Sequence, residues 1–124
     1  MGIETIERIV RIAAIVVFLA LAWLCLGGET LLVAPTPISG FLAHMLMFFF
    51  LGAASCLGWV ETAPRMVVVV LILAVAFELV QVVLPGRSFS LLDLAGNLIG
   101  VALAWVFYKV MLKFKRTIRV QVRR

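Results

Sequence analysis

The stretch MVVVVLILAVAFELVQVVL, residues 66–84, decides the fold of this chain. Its first twelve residues, Met66 to Phe77, carry no charge. As an α-helix, nineteen residues extend about 28 Å, which is close to the ~30 Å hydrocarbon core of a bilayer. A soluble helix would carry a polar stripe at a period of 3.6 residues, and none is present before Glu78. We therefore predict a membrane-spanning helix.

The rest of the 124-residue chain has the same character, with 65% hydrophobic and 14% charged residues. Soluble domains average about half apolar and a quarter charged. The sequence predicts an all-α membrane protein, a bundle of four transmembrane helices with both termini in the cytoplasm. The predicted helical domain covers residues 1–112, and a basic cytoplasmic tail covers residues 113–124. The four predicted spans are residues 9–26, 41–60, 66–84 and 91–112.

The orientation follows from the basic residues, which give the chain a net charge of +5. With four spans, ten of the eleven Lys and Arg residues fall on one side and only Arg87 on the other. The positive-inside rule places the ten in the cytoplasm, so the first and third connections lie outside. We expect a multi-pass protein of the cytoplasmic membrane. Attraction to membrane lipids accounts for the basic residues of the tail, so we expect membrane lipids as partners and no nucleic-acid partner.

Polar side chains within the predicted spans are candidate site residues, because an ionisable group in a bilayer costs a few kcal/mol or more. Glu78 lies six residues before the end of its span, about 9 Å deep, so it must be neutral or paired with Arg87 or His44. The topology places every candidate in the same outer third of the membrane. We expect one ligand-binding site formed by His44, Glu78, Gln81, Arg87, Asp93 and Asn97.

Each candidate also has a structural interpretation. The S-x-x-D pattern of Ser90 and Asp93 predicts a capping box at the start of the fourth helix. Gln81 and Asn97 could serve only as hydrogen bonds between helices, and Arg87 could extend to lipid headgroups. Small residues spaced four apart predict close helix packing at Gly96, Gly100 and Ala104.

The segment ELVQVVLPGRSFSLLDLAGNLIG, residues 78–100, resembles the signature of the VanZ-like family of small bacterial membrane proteins. The histidine in FLAHMLMFFFLG, residues 41–52, resembles the family's histidine near the start of an apolar helix. Two departures concern Gly40 and Phe41, where the family often has an Asp-Lys pair, and Ala104, where it has glycine. The positions that carry the resemblance are Glu78, Gln81, Pro85, Gly86, Arg87, Ser90, Asp93, Asn97 and Gly100.

The resemblance implies a link to low-level resistance to teicoplanin, a glycopeptide that acts outside the cytoplasmic membrane. The leading hypothesis is an outer-leaflet polar pocket that binds a lipid-linked envelope precursor or a lipoglycopeptide. A second is an intramembrane enzyme that acts on a lipid headgroup by acid–base or metal chemistry, and a third is a structural or assembly protein. No HExxH motif, Cys cluster or nucleophile motif is present, so we expect no cofactor and no metal. The oligomeric state is left open.

Overall fold

The computed structural model describes residues 2–26, 36–85 and 88–122, which form four α-helices and one 3-10 turn, with no strand in these ranges. The predicted all-helical architecture is therefore confirmed. The 3-10 turn, Val60–Thr62, precedes the third helix directly. The helices are α1 (Ile3–Leu26), α2 (Pro37–Gly58), α3 (Ala63–Gln81) and α4 (Leu91–Val122).

The helix α2 begins four residues before the predicted span, because the sequence there forms a complete N-terminal cap. The Oγ1 of Thr36 accepts a hydrogen bond from the Ser39 N–H, and the Oγ of Ser39 accepts one from the Thr36 N–H, both at 3.2 Å. Pro37 occupies the first turn, where no intrahelical N–H is needed. The Gly- and Pro-containing connection predicted for residues 27–40 thus ends at Thr36, and its residues 27–35 lie outside the described part of the chain.

The other helices also differ from the predicted spans at their ends. Helix α1 starts at Ile3, six residues before the predicted span, so Arg8 as well as Arg11 lies within it. Helix α3 ends at Gln81, which places Glu78 in its last turn and closer to a helix end than the sequence predicted. Helix α4 continues to Val122, through most of the predicted tail, because no Pro or Gly interrupts it after Gly100. Arg123 and Arg124 lie outside the described residues.

The core of the bundle receives side chains from all four helices. Phe77 of α3 lies at its centre, and its ring makes edge-on contacts with Phe18 of α1 and Phe48 of α2, with centroids 6.2 Å apart in each case. Such edge-on pairs are favourable beyond the area that they bury. The fully buried members of this cluster are Leu21, Phe48, Leu51, Val70, Ala74, Phe77 and Val101.

Helices α2 and α4 run parallel and form the most extensive interface of the bundle. A Cβ added to Gly96 would lie 2.6 Å from the carbonyl oxygen of Phe41, and one added to Gly52 would lie 2.9 Å from the Cβ of Ala104. A Cβ added to Gly100 would collide with the backbone of Met45. The small residues therefore let the two backbones approach closely, as in small-xxx-small packing of membrane helices.

The exterior of the bundle is apolar, and its interior contains the polar groups. Leu91, Val83 and Ile72 are 74%, 78% and 62% exposed, whereas Glu78 and Asn97 are completely buried. This arrangement fits lipid and not water as the surrounding solvent. Within the described residues, three helical segments are long and apolar enough to cross a membrane: Pro37–Gly58, Val60–Gln81 and Leu91–Phe114.

Candidate functional site

Four polar side chains meet where α2 and α4 begin and α3 ends, and we call them the polar cluster: His44, Glu78, Asp93 and Asn97. Each of the three helices contributes at least one member. Helices α2 and α4 run parallel, and α3 runs antiparallel to both. The first turns of α2 and α4 therefore lie at the same level as the last turn of α3. The cluster therefore lies at one end of the bundle, as the sequence topology requires.

Glu78 is the central member, with its side chain completely buried. Its Oε1 accepts a hydrogen bond from the Nδ2 of Asn97 at 3.4 Å and lies 3.5 Å from the Nδ1 of His44. Its Oε2 accepts a hydrogen bond from the backbone N–H of Ser90, also at 3.4 Å. Both carboxylate oxygens thus have polar partners, which a buried carboxylate needs in an apolar bundle.

Asn97 connects Glu78 to His44 and to the backbone of α3. Its Nδ2 donates to the carbonyl oxygen of Ala74 at 3.3 Å as well as to Glu78. Because the amide nitrogen is turned toward α3, the Oδ1 is left to accept from the Nδ1 of His44 at 2.9 Å. Asn97 and Glu78 therefore both approach the Nδ1 of His44, at 2.9 and 3.5 Å.

Asp93 and Ser90 form only part of the predicted capping box. The Oγ of Ser90 accepts a hydrogen bond from the Asp93 N–H at 3.2 Å, which caps α4. The reciprocal donor, the N–H of Ser90, instead bonds to Glu78. The start of α4 therefore has two nearby carboxylates, that of Glu78 from α3 and that of Asp93 from α4 itself. The dipole of α4 favours negative charge at this end of the helix.

The cluster is not sealed at every side. The His44 side chain retains 13% exposure, and Asp93 and Ser90 are partly buried. These three residues therefore retain contact with the surroundings of the bundle, whereas Glu78 and Asn97 are completely buried.

The two remaining predicted members have different outcomes. Gln81 is one helical turn beyond Glu78 and 3% exposed, and its Nε2 has no hydrogen-bond partner among the described residues. Arg87 lies outside the described residues, as does Gly86 of the family pattern. The proposed role of Arg87 therefore stays a prediction.

The geometry of the cluster is also suitable for a metal ion. One ring nitrogen of His44 and one carboxylate oxygen each of Glu78 and Asp93 all lie within 4.8 Å of one another. These residues are separated in sequence by 34 and 15 positions, and no local spacing motif could have indicated that they meet. The three helices create the grouping.

Sequence reasoning missed the two backbone groups that complete the site, the carbonyl of Ala74 and the N–H of Ser90. The one signal that could have indicated Ala74 is its small side chain within a Val-rich helix. The absence of a branched side chain there lets the amide of Asn97 reach the backbone of α3. The N–H of Ser90 had no signal, because the capping pattern assigned it to Asp93.

A separate cavity of about 240 Å³ lies at the opposite end of the bundle. Arg11 lines this cavity and contacts the end of α2. Its Nε donates to the Gly58 carbonyl at 2.6 Å, and its guanidinium lies 5.6 Å from the ring centroid of Trp59. This cavity shares no residue with the polar cluster. Its lining consists of Glu7, Arg11, Trp59, Val60, Glu61 and Thr62.

Comparison with known proteins identifies the family. The sequence profile of the VanZ/LLP1 family matches residues 4–112, which is most of the chain and includes α2, α3 and the greater part of α1 and α4. This chain therefore belongs to the VanZ/LLP1 family, and the resemblance that residues 78–100 and His44 indicated is confirmed. No curated protein and no solved structure matches the chain significantly.

Proposed function

We propose that this member of the VanZ/LLP1 family binds the polar headgroup of an amphiphile at the polar cluster. The observation that carries the proposal is a set of hydrogen-bonded polar side chains, two of them completely buried, held within an otherwise apolar helical bundle. Polar groups inside a membrane bundle are costly and mark functional sites by default. A few convergent polar groups in an apolar surround are typical of small-molecule sites.

The chemistry of the cluster suits a headgroup with hydroxyls, amides and phosphates. Glu78 and Asp93 supply acceptors for hydroxyl and amide N–H groups. The unpartnered Nε2 of Gln81 supplies a donor. Arg87, which follows α3 in the sequence and precedes α4, would hold an anionic group. A lipid-linked envelope precursor contains all of these groups, and a lipoglycopeptide contains the hydroxyls and amides.

We further propose a four-span topology in which both termini lie in the cytoplasm. The ten-to-one distribution of basic residues supports it, as does the antiparallel course of α3 against α2 and α4. Helix α1 is long enough for the fourth span, since its 24 residues extend about 36 Å. The cluster then lies in the outer leaflet of the cytoplasmic membrane.

An outer-leaflet site agrees with the teicoplanin link of VanZ-like proteins, because that antibiotic and its target meet outside the membrane. In this proposal the protein lowers susceptibility by binding either the lipid-linked target or the lipoglycopeptide itself. No chemical conversion of the ligand is required. In this proposal the protein acts as a binding factor, and an enzymatic role is the alternative.

Susceptibility to teicoplanin tests the proposal directly. The intact protein is expressed in a susceptible bacterium beside Glu78→Gln and Arg87→Ala at equal membrane levels, with the exposed Glu4→Gln as the matched control. We expect resistance with the intact protein and the control, and loss of it in the two site variants. Resistance that is unchanged in both site variants would exclude the pocket.

A second candidate function is an intramembrane enzyme that performs acid–base chemistry on a lipid headgroup. The observation in its favour is the contact of His44 with both Glu78 and Asn97, because a carboxylate and an amide that orient an imidazole also prepare it for proton transfer. Incubation of the purified protein with labelled lipid carriers tests it. Product formation that Glu78→Gln abolishes would favour an enzyme, and absence of turnover would leave the binding function.

A further inference from the structure

We infer that the polar cluster holds one divalent metal ion, with His44, Glu78 and Asp93 as its protein ligands. Three helices supply these residues, and one ligand atom from each lies within 4.8 Å of the other two. An imidazole and two carboxylates are a donor set that divalent metals commonly use in proteins. The grouping is therefore a site built by the fold and not a set of neighbouring acids on a surface.

The distances fit a single ion with small adjustments. Metal bonds to His nitrogen and carboxylate oxygen are about 2.0 to 2.2 Å long, so three ligand atoms spaced equally around one ion are about 3.7 Å apart at most. A separation within 4.8 Å thus needs side-chain shifts of about one ångström. Rotations of the Asp93 side chain, which is only partly buried, can provide such shifts.

Charge balance gives an independent reason for a divalent ion. Glu78 and Asp93 place two carboxylates close together in an apolar bundle, where like charges repel strongly. A divalent cation bound between them compensates for both charges. Arg87 is another cation in the connection between α3 and α4, and the variants described below distinguish it from a metal.

The surroundings of the ligands resemble the outer contacts of known metal sites. The Nδ1 of His44 donates to Asn97 and lies 3.5 Å from Glu78, so Nε2 is the ring nitrogen left to bind the ion. Metal-ligating histidines commonly donate their second ring N–H to an acceptor such as Asn97. The Ser90 N–H holds the Glu78 carboxylate in place. One nitrogen and two oxygen ligands favour a first-row ion such as Mn²⁺ or Zn²⁺ over Mg²⁺, which prefers oxygen ligands.

A metal at this site would also explain how the cluster recognises a headgroup, a step that rests on the proposed function. Three protein ligands leave coordination positions for an oxygen of a phosphate group. Gln81, one turn from Glu78, has a buried amide donor with no partner among the described residues, and a bound oxygen would satisfy it. The cation would thus attach the anionic part of the lipid-linked ligand.

Metal content of the purified full chain tests the inference. The protein is purified in detergent with a tag that contains no histidine, stripped with a chelator, and refilled with Mn²⁺ or Zn²⁺. Elemental analysis should find about one ion per chain for the intact protein and for Glu4→Gln. Affinity should fall at least about tenfold in His44→Gln, Glu78→Gln and Asp93→Asn, and should remain in Arg87→Ala.

A spectroscopic measurement on the intact protein does not depend on whether the variants fold. His44 is the only histidine of the chain, so the imidazole ¹⁵N resonances report on this residue alone. We expect Zn²⁺ to shift one ring nitrogen and to leave the other hydrogen-bonded. Resonances that Zn²⁺ does not change, or ion binding that is equal in all variants, would overturn the inference.

The failure of this inference is distinguishable from failure of the proposed function. Native mass spectrometry of the same samples records bound lipid and bound metal separately. If the lipid-linked ligand were retained without any metal, the metal site would be excluded and the proposed headgroup binding would stand. If metal were bound and no sample retained a lipid-linked ligand, the metal site would stand and the proposed headgroup binding would be excluded.

Discussion

The carboxylate of Glu78, in the last turn of α3, accepts a hydrogen bond from the backbone N–H of Ser90, the residue before α4, at 3.4 Å. This contact joins the end of one helix to the beginning of the next across their connection. The N–H groups of a helix start lack intrahelical partners and favour an anion. Glu78 therefore supports the turn between α3 and α4 and belongs to the polar cluster as well.

Because Glu78 both supports the turn between α3 and α4 and belongs to the polar cluster, we expect two substitutions of this residue to have different effects. Glu78→Gln retains the size and one acceptor oxygen, and we expect it to lower the free energy of unfolding by about 1 kcal/mol. Glu78→Ala removes the acceptor for both Ser90 and Asn97 and leaves a cavity, and we expect a loss of about 3 kcal/mol or more. Thermal unfolding in detergent, followed by circular dichroism, measures both.

The matched controls for this pair are Glu4→Gln and Glu4→Ala, at an exposed position in the first turn of α1. Both should unfold within a degree or two of the intact protein, since exposed substitutions change stability by less than about 0.5 kcal/mol. If Glu78→Gln destabilised as much as Glu78→Ala while ligand binding persisted, the cluster would be structural and not functional.

The sequence predicted the helical class and the meeting of the polar residues at one end of the bundle, because both follow from general rules. Apolar length sets the helices, and the alternating direction of successive spans sets which ends meet. The close approach of α2 to α4 was predicted in kind from the spacing of Gly96, Gly100 and Ala104. These are patterns that a single chain displays directly.

The helix ends and the individual partners could not be predicted in the same way. The capping pattern assigned the N–H of Ser90 to Asp93, but Glu78 comes from another helix and takes it. Likewise, the topology placed His44 and Asn97 in one site, but nothing along the chain indicated that these two side chains, 53 positions apart, bond directly to each other. Contacts of this kind depend on helix rotation and tilt, which packing determines.

At Gly100 we expect that no larger residue can be accepted. A Cβ there collides with the backbone of Met45 and approaches that of Phe49, so Gly100→Val must push α4 away from α2. We expect a loss of about 3 kcal/mol or failure to fold. Ala102→Val, at an exposed position of the same helix, is the control and should retain the melting temperature.

Comparable loss in the two valine variants would mean that a membrane helix with added bulk is destabilised regardless of the face that carries it. Yield of monodisperse protein from membranes provides a second readout for Gly100→Val. A normal yield and melting temperature for that variant would contradict the close α2–α4 packing.

Ser90 predicts a moderate capping effect. Ser90→Ala removes the Oγ that accepts from the Asp93 N–H, but keeps the backbone N–H that donates to Glu78. Loss of a serine cap costs about 1 kcal/mol, so we expect a drop of a few degrees in melting temperature with the cluster intact. Ser88→Ala, two residues earlier and exposed, should show no change, and an equal drop in both would exclude a specific cap.

Arg11 predicts that the opposite end of the bundle depends on a guanidinium and not merely on a positive charge. Its Nε donates to the carbonyl of Gly58, in the last turn of α2 where carbonyls lack intrahelical partners, and its planar group lies over Trp59. Lysine has neither the fixed Nε donor nor the planar face. Arg11→Lys should therefore lower the free energy of unfolding by about 1 to 2 kcal/mol.

Arg8→Lys is the control for this substitution, since Arg8 is exposed on the same helix and has the same charge. Melting temperatures of the two variants in the same detergent measure the difference, which should be several degrees in favour of Arg8→Lys. Because Arg11 and the polar cluster lie at opposite ends, metal content and teicoplanin susceptibility per folded molecule should be unchanged in both. A loss of metal in Arg11→Lys alone would instead show that the two ends of the bundle are coupled through α1 and α2.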